Sequence, residues 1–266
     1  MADAPVSPAG GRLPPYRAEL PFTYAFGRFA VLEALTHRPD DVTAVLWHAR
    51  LPDTERERLL AAAARAGVAA RRDDATVARL RRKESVHCLA VVAKREERLA
   101  EAADHVALVR PSHPGNVGSA IRSLVAFGFG DLALVAPAVD AWGPYVVRAS
   151  VGLRFAVRCQ AFASLEAYRA RYPRHAAYLF DAGGELELEE VEFRSPFTLL
   201  FGPEWQAPGA ADAAVAAAPD PRSTVAPAPV SAPPRTVRIE QDNRVESLNL
   251  AISVSIAAYR ASRARR

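Results

Sequence analysis

The chain lacks the features that would place it outside the cell, in a membrane or among the common metalloproteins. Its 266 residues hold two cysteines, Cys88 and Cys159, far apart and in no CxxC pattern. That excludes a disulfide framework and a cysteine zinc site, and points to two reduced, buried thiols. No apolar run approaches the ~18 residues that a membrane span needs. The opening MADAPVSPAGGRLPPYRAEL has no charged segment followed by an apolar one, so no secretory leader is expected and the expected location is cytoplasmic. Lysine is almost missing, with Lys83 and Lys94 alone, so the basic charge is carried by arginine. There is no GxGxxG after a strand, no GxxxxGK[ST], no HExxH and no GxSxG. The ordinary dinucleotide, P-loop, zincin and serine-hydrolase readings therefore lose support, and no metal is expected. No repeat of 20–50 residues is visible either.

What is present is a chain that is half hydrophobic, with a net charge of +4. The basic residues crowd two regions: Arg65, Arg71, Arg72, Arg79, Arg81, Arg82, Lys83 and Lys94, then Arg260, Arg263, Arg265 and Arg266. Each is compatible with a solvated helical face, and two in one chain add modest support for a nucleic-acid partner. The most ordered stretch is Val106–Pro137. Two aliphatic runs, Val106–Val109 and Leu132–Ala136, flank a Pro/Gly turn and an amphipathic segment with Val117, Ile121, Leu124 and Val125 in helical register. This predicts strand, turn, helix, strand in a buried parallel sheet, with Asn116 as helix N-cap and Gly128 and Gly130 at the helix end.

Around that unit the chain divides as follows. Residues 1–18 are Pro-, Gly- and Ala-rich and predict a flexible tail. Residues 19–94 predict a small three-layer α/β domain: helices at Phe29–Leu35, Glu55–Ala66 and Ala75–Arg81, and strands at Val42–Trp47, Val68–Ala69 and Cys88–Val92. The charged stretch 95–104 reads as a stiff, helix-prone linker. Residues 105–266 form the second domain. It has a short helix in Trp142–Gly152, a Ser164-capped helix over Leu165–Arg171, strands at Tyr178–Phe180, Phe197–Phe201 and Val237–Ile239, and a solvated turn or edge at Glu185–Glu190. A closing amphipathic helix, Ser247–Arg263, has Leu248, Ile252, Ser255 and Tyr259 in one stripe. Residues 206–235 are Ala/Pro-rich without periodicity and predict a flexible loop.

Three short polar stretches each follow an apolar strand: His113-Pro114-Gly115-Asn116 with Arg122, then Gly202-Pro203-Glu204, then Ser247-Leu248-Asn249. Loops at the carboxyl ends of strands are where open α/β sheets bind ligands. Taken singly each has a plain structural explanation, as a cap, a turn or a solvated helix residue. Their order and spacing (N-x5-R, then F-G-x-E, then S-L-N opening the last helix) closely resemble the three motifs of the SpoU (TrmH) family of RNA methyltransferases in the SPOUT superfamily. The resemblance runs over His105–Arg263. Phe26-Gly27-Arg28-Phe29-Ala30-Val31-Leu32-Glu33-Ala34-Leu35 is also similar to the start of the substrate-binding domain often found ahead of it.

That resemblance implies a parallel-sheet domain with a deep trefoil knot, S-adenosylmethionine bound in the knot, a homodimer, and methylation of a ribose 2′-hydroxyl in tRNA or rRNA. By position, Asn116, Arg122, Glu204, Ser247 and Asn249 match the family's polar active-site residues, and Gly202, Ile239 and Leu248 match its cofactor-lining ones. A ribose hydroxyl must lose its proton as the methyl transfers, and guanidinium is too weak an acid to serve easily as base. Arg122 therefore suits a phosphate or alkoxide clamp better than the base role, with Asn116 and Asn249 orienting and Glu204 fixing the guanidinium. The pattern departs from the family at Trp205, in the long Pro-rich loop, at Glu240-Gln241 and at Asn243. The indole of Trp205 would either obstruct the cofactor or stack on its adenine. A knotted RNA-binding protein without cofactor affinity is the alternative.

Overall fold

A computed structural model describes residues 12–202, 233–242 and 244–264. Two sheets organise them. The first contains β1 (Phe22–Phe26), β2 (Val42–Trp47), β3 (Ala70–Arg72) and β4 (Cys88–Ala93) in the order β1-β4-β2-β3. β4 runs antiparallel to β1 and β2, whereas β2 and β3 are parallel. Helices α1 (Arg28–His37) and α2 (Asp53–Arg65) bury Val31, Ala34, Leu35, Leu59 and Ala63 on one face of the sheet. Helix α3 (Asp74–Leu80), capped by the Asp73 carboxylate accepting from the Thr76 N–H at 2.9 Å, buries Val77 and Leu80 on the other. Leu13, expected in the loose tail, is buried in that second layer, and the Tyr24 hydroxyl donates to the Pro14 carbonyl at 2.6 Å. An apolar side chain next to an open sheet face gains more by docking than a polar tail would.

The second sheet is wholly parallel. It comprises β5 (His105–Val109), β6 (Asp131–Val135), β7 (Arg158–Phe162), β8 (Ala176–Phe180), β9 (Leu186–Glu187), β10 (Phe197–Phe201) and β11 (Arg235–Arg238). The spatial order is β7-β6-β5-β10-β8-β11-β9. The chain first builds outward from β5 through β6 to β7. It then lays down β8 and β9 with gaps that β10 and β11 fill later. Strands buried on both faces must be apolar throughout, and Leu132, Ala133, Leu134, Val135, Leu199, Leu200 and Phe201 meet that requirement. Gly184 is needed where β11 enters, because a Cβ there would lie 2.4 Å from the Val237 carbonyl carbon.

Helix α4 (Pro114–Ala126) covers one face of this sheet, and Val117, Ala120, Ile121 and Leu124 are buried beneath it. Proline in the first turn supplies the helical φ without losing a hydrogen bond, so the helix begins before Asn116. Asn116 is thus a first-turn residue and not the cap. The helix ends as expected: Gly128 has φ 78°, its N–H donates to Val125, and the Phe129 N–H reaches back to Leu124 at 2.8 Å. Helices α5 (Pro144–Ala149) and α7 (Leu250–Ala264) flank α4; α6 (Leu165–Arg171), capped by Ser164 as expected, covers the other face with Leu165 and Tyr168. A Cβ on Gly118 would come within 2.4 Å of the Ala149 Cβ, so glycine sets the α4–α5 approach.

Three further readings change. Strands β1 and β7 were not anticipated. Residues 95–104 form no helix; Glu97 and Leu99 are buried there instead. And α7 starts at Leu250, not Ser247, and buries Ala251, Val254, Ala257, Ala258 and Ala261, while Ile252 and Tyr259 of the anticipated stripe face outward. Small side chains allow α7 to lie close on α4, where Ser255 Oγ and Ser123 Oγ stand 2.6 Å apart.

Glu97 joins the two sheets. Its carboxylate accepts from the Arg38 guanidinium at the end of α1, from Arg154 Nη2 at 2.6 Å and from the Cys159 N–H at 2.8 Å. All three side chains are almost inaccessible. Arg154 also lies 4.2 Å over the Trp142 ring. Burial pushes the Cys159 thiol up to about 11 and the Cys88 thiol to about 12, so both stay protonated near neutrality.

Candidate active site

The carboxyl ends of β8, β10 and β11 open into a cleft of about 570 Å³. Phe180 and Phe201, stacked at 4.6 Å between centroids, form part of its wall with Val237 and Ile239. Gly202 leaves the end of β10, and a Cβ there would press to 3.3 Å on the Val109 side chain. Ser247, Leu248, Leu250 and Ser253 close the opposite side. The three positions anticipated to line a cofactor, Gly202, Ile239 and Leu248, therefore share one cleft with Ser247, although they lie up to 46 residues apart in sequence.

Asn249 lies between the cleft residues Leu248 and Leu250 and does two jobs. Its Oδ1 accepts the Ala251 N–H at 2.9 Å, capping α7, and its Nδ2 donates to Asn116 Oδ1 at 3.1 Å in the first turn of α4. The first and third stretches singled out in the sequence thus touch, across 133 residues. The loop that delivers Asn116 is held in an unusual shape: Arg110, just after β5, has φ 52°, and its N–H is tied to the Val135 carbonyl at 2.9 Å. Left-handed backbone at a non-glycine residue costs energy and tends to be kept where the surroundings fix it.

Arg122 is not brought to this contact. It is exposed on α4, six residues beyond Asn116, about 9 Å further along the axis and turned well away. No described residue pairs with it. Glu204 and Trp205 lie outside the described residues, as does most of the 206–235 stretch and Asn243.

Sequence reasoning missed Asp181-Ala182-Gly183, which lines the cleft after β8. The Asp181 carboxylate accepts the Gly183 N–H at 2.8 Å, a side-chain-stabilised turn. An Asp-x-Gly-Gly run ending an apolar strand was the available signal. Gln241, one of the departures from the family pattern, also lines the cleft; its Nε2 donates to the Val245 and Glu246 carbonyls at 3.3 and 3.4 Å and braces the turn before Ser247.

Residues 104–218 match the model of the SpoU rRNA methylase family. Over these residues the chain is similar to the SpoU methylases. An uncharacterized tRNA/rRNA methyltransferase of Synechocystis sp. is 30% identical over 158 residues, 59% of this chain and 52% of that protein. A 23S rRNA (uridine(2479)-2'-O)-methyltransferase of Streptomyces viridochromogenes is 33% identical over 102 residues, 36% of each. The chain spans about half the length of the first and about a third of the second. The SpoU methyltransferase AviRb from Streptomyces viridochromogenes, solved in complex with AdoMet, shares the fold: the TM-score is 0.68 at 24% identity, over 92% of this chain and 91% of that one. The expected α/β class with a parallel-sheet domain holds.

The cleft suits a nucleoside-type ligand. Its volume falls in the usual range for a small-molecule site, its aromatic and aliphatic walls suit a purine, and Asp181, Gln241 and Ser247 are among its polar lining residues. Among the described residues no helix is long and apolar enough to cross a membrane, and no cluster of His, Cys, Asp and Glu could hold a metal ion.

Proposed function

We propose that this protein is an S-adenosylmethionine-dependent RNA methyltransferase that methylates a ribose 2′-hydroxyl in tRNA or rRNA. The observation that carries the reading is the single cleft that gathers Gly202, Ile239, Ser247 and Leu248 beside the Asn116–Asn249 bond. S-adenosylmethionine, when bound, supplies an activated methyl group on a sulfonium whose thioether leaves without help from a metal. The protein's residues do the rest. Asn249 is locked by its cap and by Asn116, so it is positioned to hold the ribose at the cleft mouth at little further cost in order. Ser247 offers a hydroxyl on the same lip. Arg122 clamps the nucleotide's phosphate or its developing alkoxide, favouring loss of the hydroxyl proton to solvent as the C–O bond forms, and Glu204 fixes that guanidinium.

The position of Arg122 outside the cleft supports a homodimer in which a second copy completes the site. The outward Ile252, Ile256 and Tyr259 of α7 give such a copy an apolar surface to cover. The domain boundaries at 94 and 105, and the trefoil knot, belong to the same proposal. The late insertion of β11 between β8 and β9 supports the knot.

The test is calorimetry of the full chain with S-adenosylmethionine, followed by mapping of ribose methylation in cellular RNA with and without the gene. Heat of binding and a methylation that vanishes with the gene support the reading. Cofactor binding with no change in RNA would leave the transfer reaction unsupported, and no heat at all would favour a protein that only binds RNA.

A further inference from the structure

We propose that Tyr145, backed by Arg82, is a stacking platform for an unpaired RNA base, placed where the two sheets' units meet beside the active-site loop. The inference rests on the proposal that the substrate is RNA. It adds a binding surface that the cleft and its motifs do not include.

Tyr145 stands in the first turn of α5 with 53% of its surface exposed, on a helix whose other side is buried through Val146 and Val147. The ring is held by a residue from the other unit: the Arg82 guanidinium sits 4.7 Å from the ring centroid and its Nη1 donates to the Tyr145 hydroxyl. Arg82 is itself presented by a braced turn, because Arg81 Nη1 donates to the Glu84 carbonyl at 2.7 Å and to the Val86 carbonyl at 3.3 Å. The base of α5 is pinned as well, with Thr23 of β1 donating to the Trp142 carbonyl at 2.5 Å. The ring is therefore ordered before any ligand arrives.

Its location ties it to the site. The segment leading into α5 is bonded to the loop that delivers Asn116, the Val139 N–H donating to the Pro111 carbonyl at 3.0 Å. At its other end, α5 packs on α4 at Gly118, two residues after Asn116. The exposed cations around the ring are Lys83 beside Arg82 and Arg148 one turn along α5. Of the nearby acids, Glu84 is exposed, and Asp140 is already engaged by Tyr16 and, at 4.0 Å, by Lys94. An aromatic ring supported by a guanidinium, with further cations in reach of a backbone, is the arrangement that binds single strands by stacking. A paired base in an A-form helix hides its face from such a ring, so the platform selects an unpaired nucleotide flanking the methylated one.

The experiment measures fluorescence anisotropy of the full chain with a labelled, unstructured oligoribonucleotide of about twelve nucleotides, a length within the usual single-strand site sizes. A blunt RNA duplex of the same length is the comparison, and both are followed over a salt series. Tyr145→Ala is expected to weaken single-strand binding by about tenfold or more, with duplex binding and the salt slope unchanged. Tyr145→Phe should keep most of the affinity, because it keeps the ring. Arg82→Ala should lower both affinity and salt slope. The proposal is overturned if Tyr145→Ala leaves single-strand affinity intact, if it weakens duplex and single strand equally, if its loss is matched by a lowered unfolding midpoint, or if the unaltered chain binds neither oligomer. Calorimetry with S-adenosylmethionine on Tyr145→Ala reads the catalytic proposal separately: unaltered cofactor binding is expected, and absence of binding in the parent chain counts against that proposal without touching the anisotropy result.

Discussion

The Glu97 junction and the rim of the cleft are both polar, and they are built on opposite rules. At the junction, one carboxylate and two guanidinium groups are removed from water, and the Glu97 carboxylate is bonded to both guanidinium groups and to the Cys159 N–H. At the rim, Ser247 and Asn249 are exposed; outside the cleft, on α4, Arg122 is also exposed and has no partner among the described residues. The junction spends its polar groups on itself and fixes how the two sheets sit. The rim leaves polar capacity for something that is not protein. Buried ion pairs are poor sources of net stability but costly to break, whereas exposed groups are cheap to remove and matter only to what they bind.

Mutations should separate the two regions. Glu97→Ala strands two buried guanidinium groups and is expected to cost about 3–5 kcal/mol of unfolding free energy in denaturant titration. Arg122→Ala should leave that titration unchanged and lower the methyl-transfer rate by an amount on the order of 3 kcal/mol, roughly a hundredfold. Equal stability losses in the two variants would erase the contrast.

Acid provides a third probe, at the amino-terminal end of the parallel sheet. His105 is buried, with Nδ1 3.0 Å from the Tyr168 hydroxyl and Nε2 2.9 Å from the Ala100 carbonyl, and burial pushes its pKa down to about 4. A histidine whose folded pKa lies below its unfolded value contributes stability that is complete above about pH 6.5 and is lost as pH falls toward 4, because the unfolded chain takes up the proton first. The loss should approach an order of 3 kcal/mol at the acid end, read from denaturant midpoints between pH 7 and 4, and should be absent in His105→Gln. Asn249→Ala should show a small change in stability, about 1 kcal/mol for a lost cap, together with a clear fall in activity. A stability loss with full activity would make Asn249 only a cap.

Much of this was legible in the chain because backbone requirements write themselves into local sequence. Strands β2 and β10 and helix α6 were read with their observed limits, since each is a β-rich apolar run or a capped, periodic segment. The shared cleft of Gly202, Ile239, Ser247 and Leu248 followed from motif order, which no hydrophobic pattern contains. The errors have physical causes. β7, Arg-Cys-Gln-Ala-Phe, lies at the sheet edge, where polar residues are tolerated and the apolar signal fades. On α7 the bulky Ile252 and Tyr259 outweighed alanines in the reading, whereas close helix packing prefers the alanines. The Glu97 junction could not be foreseen, because its members are 59 and 57 residues apart and charged runs ordinarily remain in water.

In the proposed function, the cleft at the ends of β8, β10 and β11 holds S-adenosylmethionine. Isothermal titration of the full chain tests it directly. Saturable heat with one site per chain is expected, weakened when Leu248→Arg fills the cleft wall while the fold persists. Absence of heat at millimolar cofactor, or binding that Leu248→Arg leaves untouched, would contradict it.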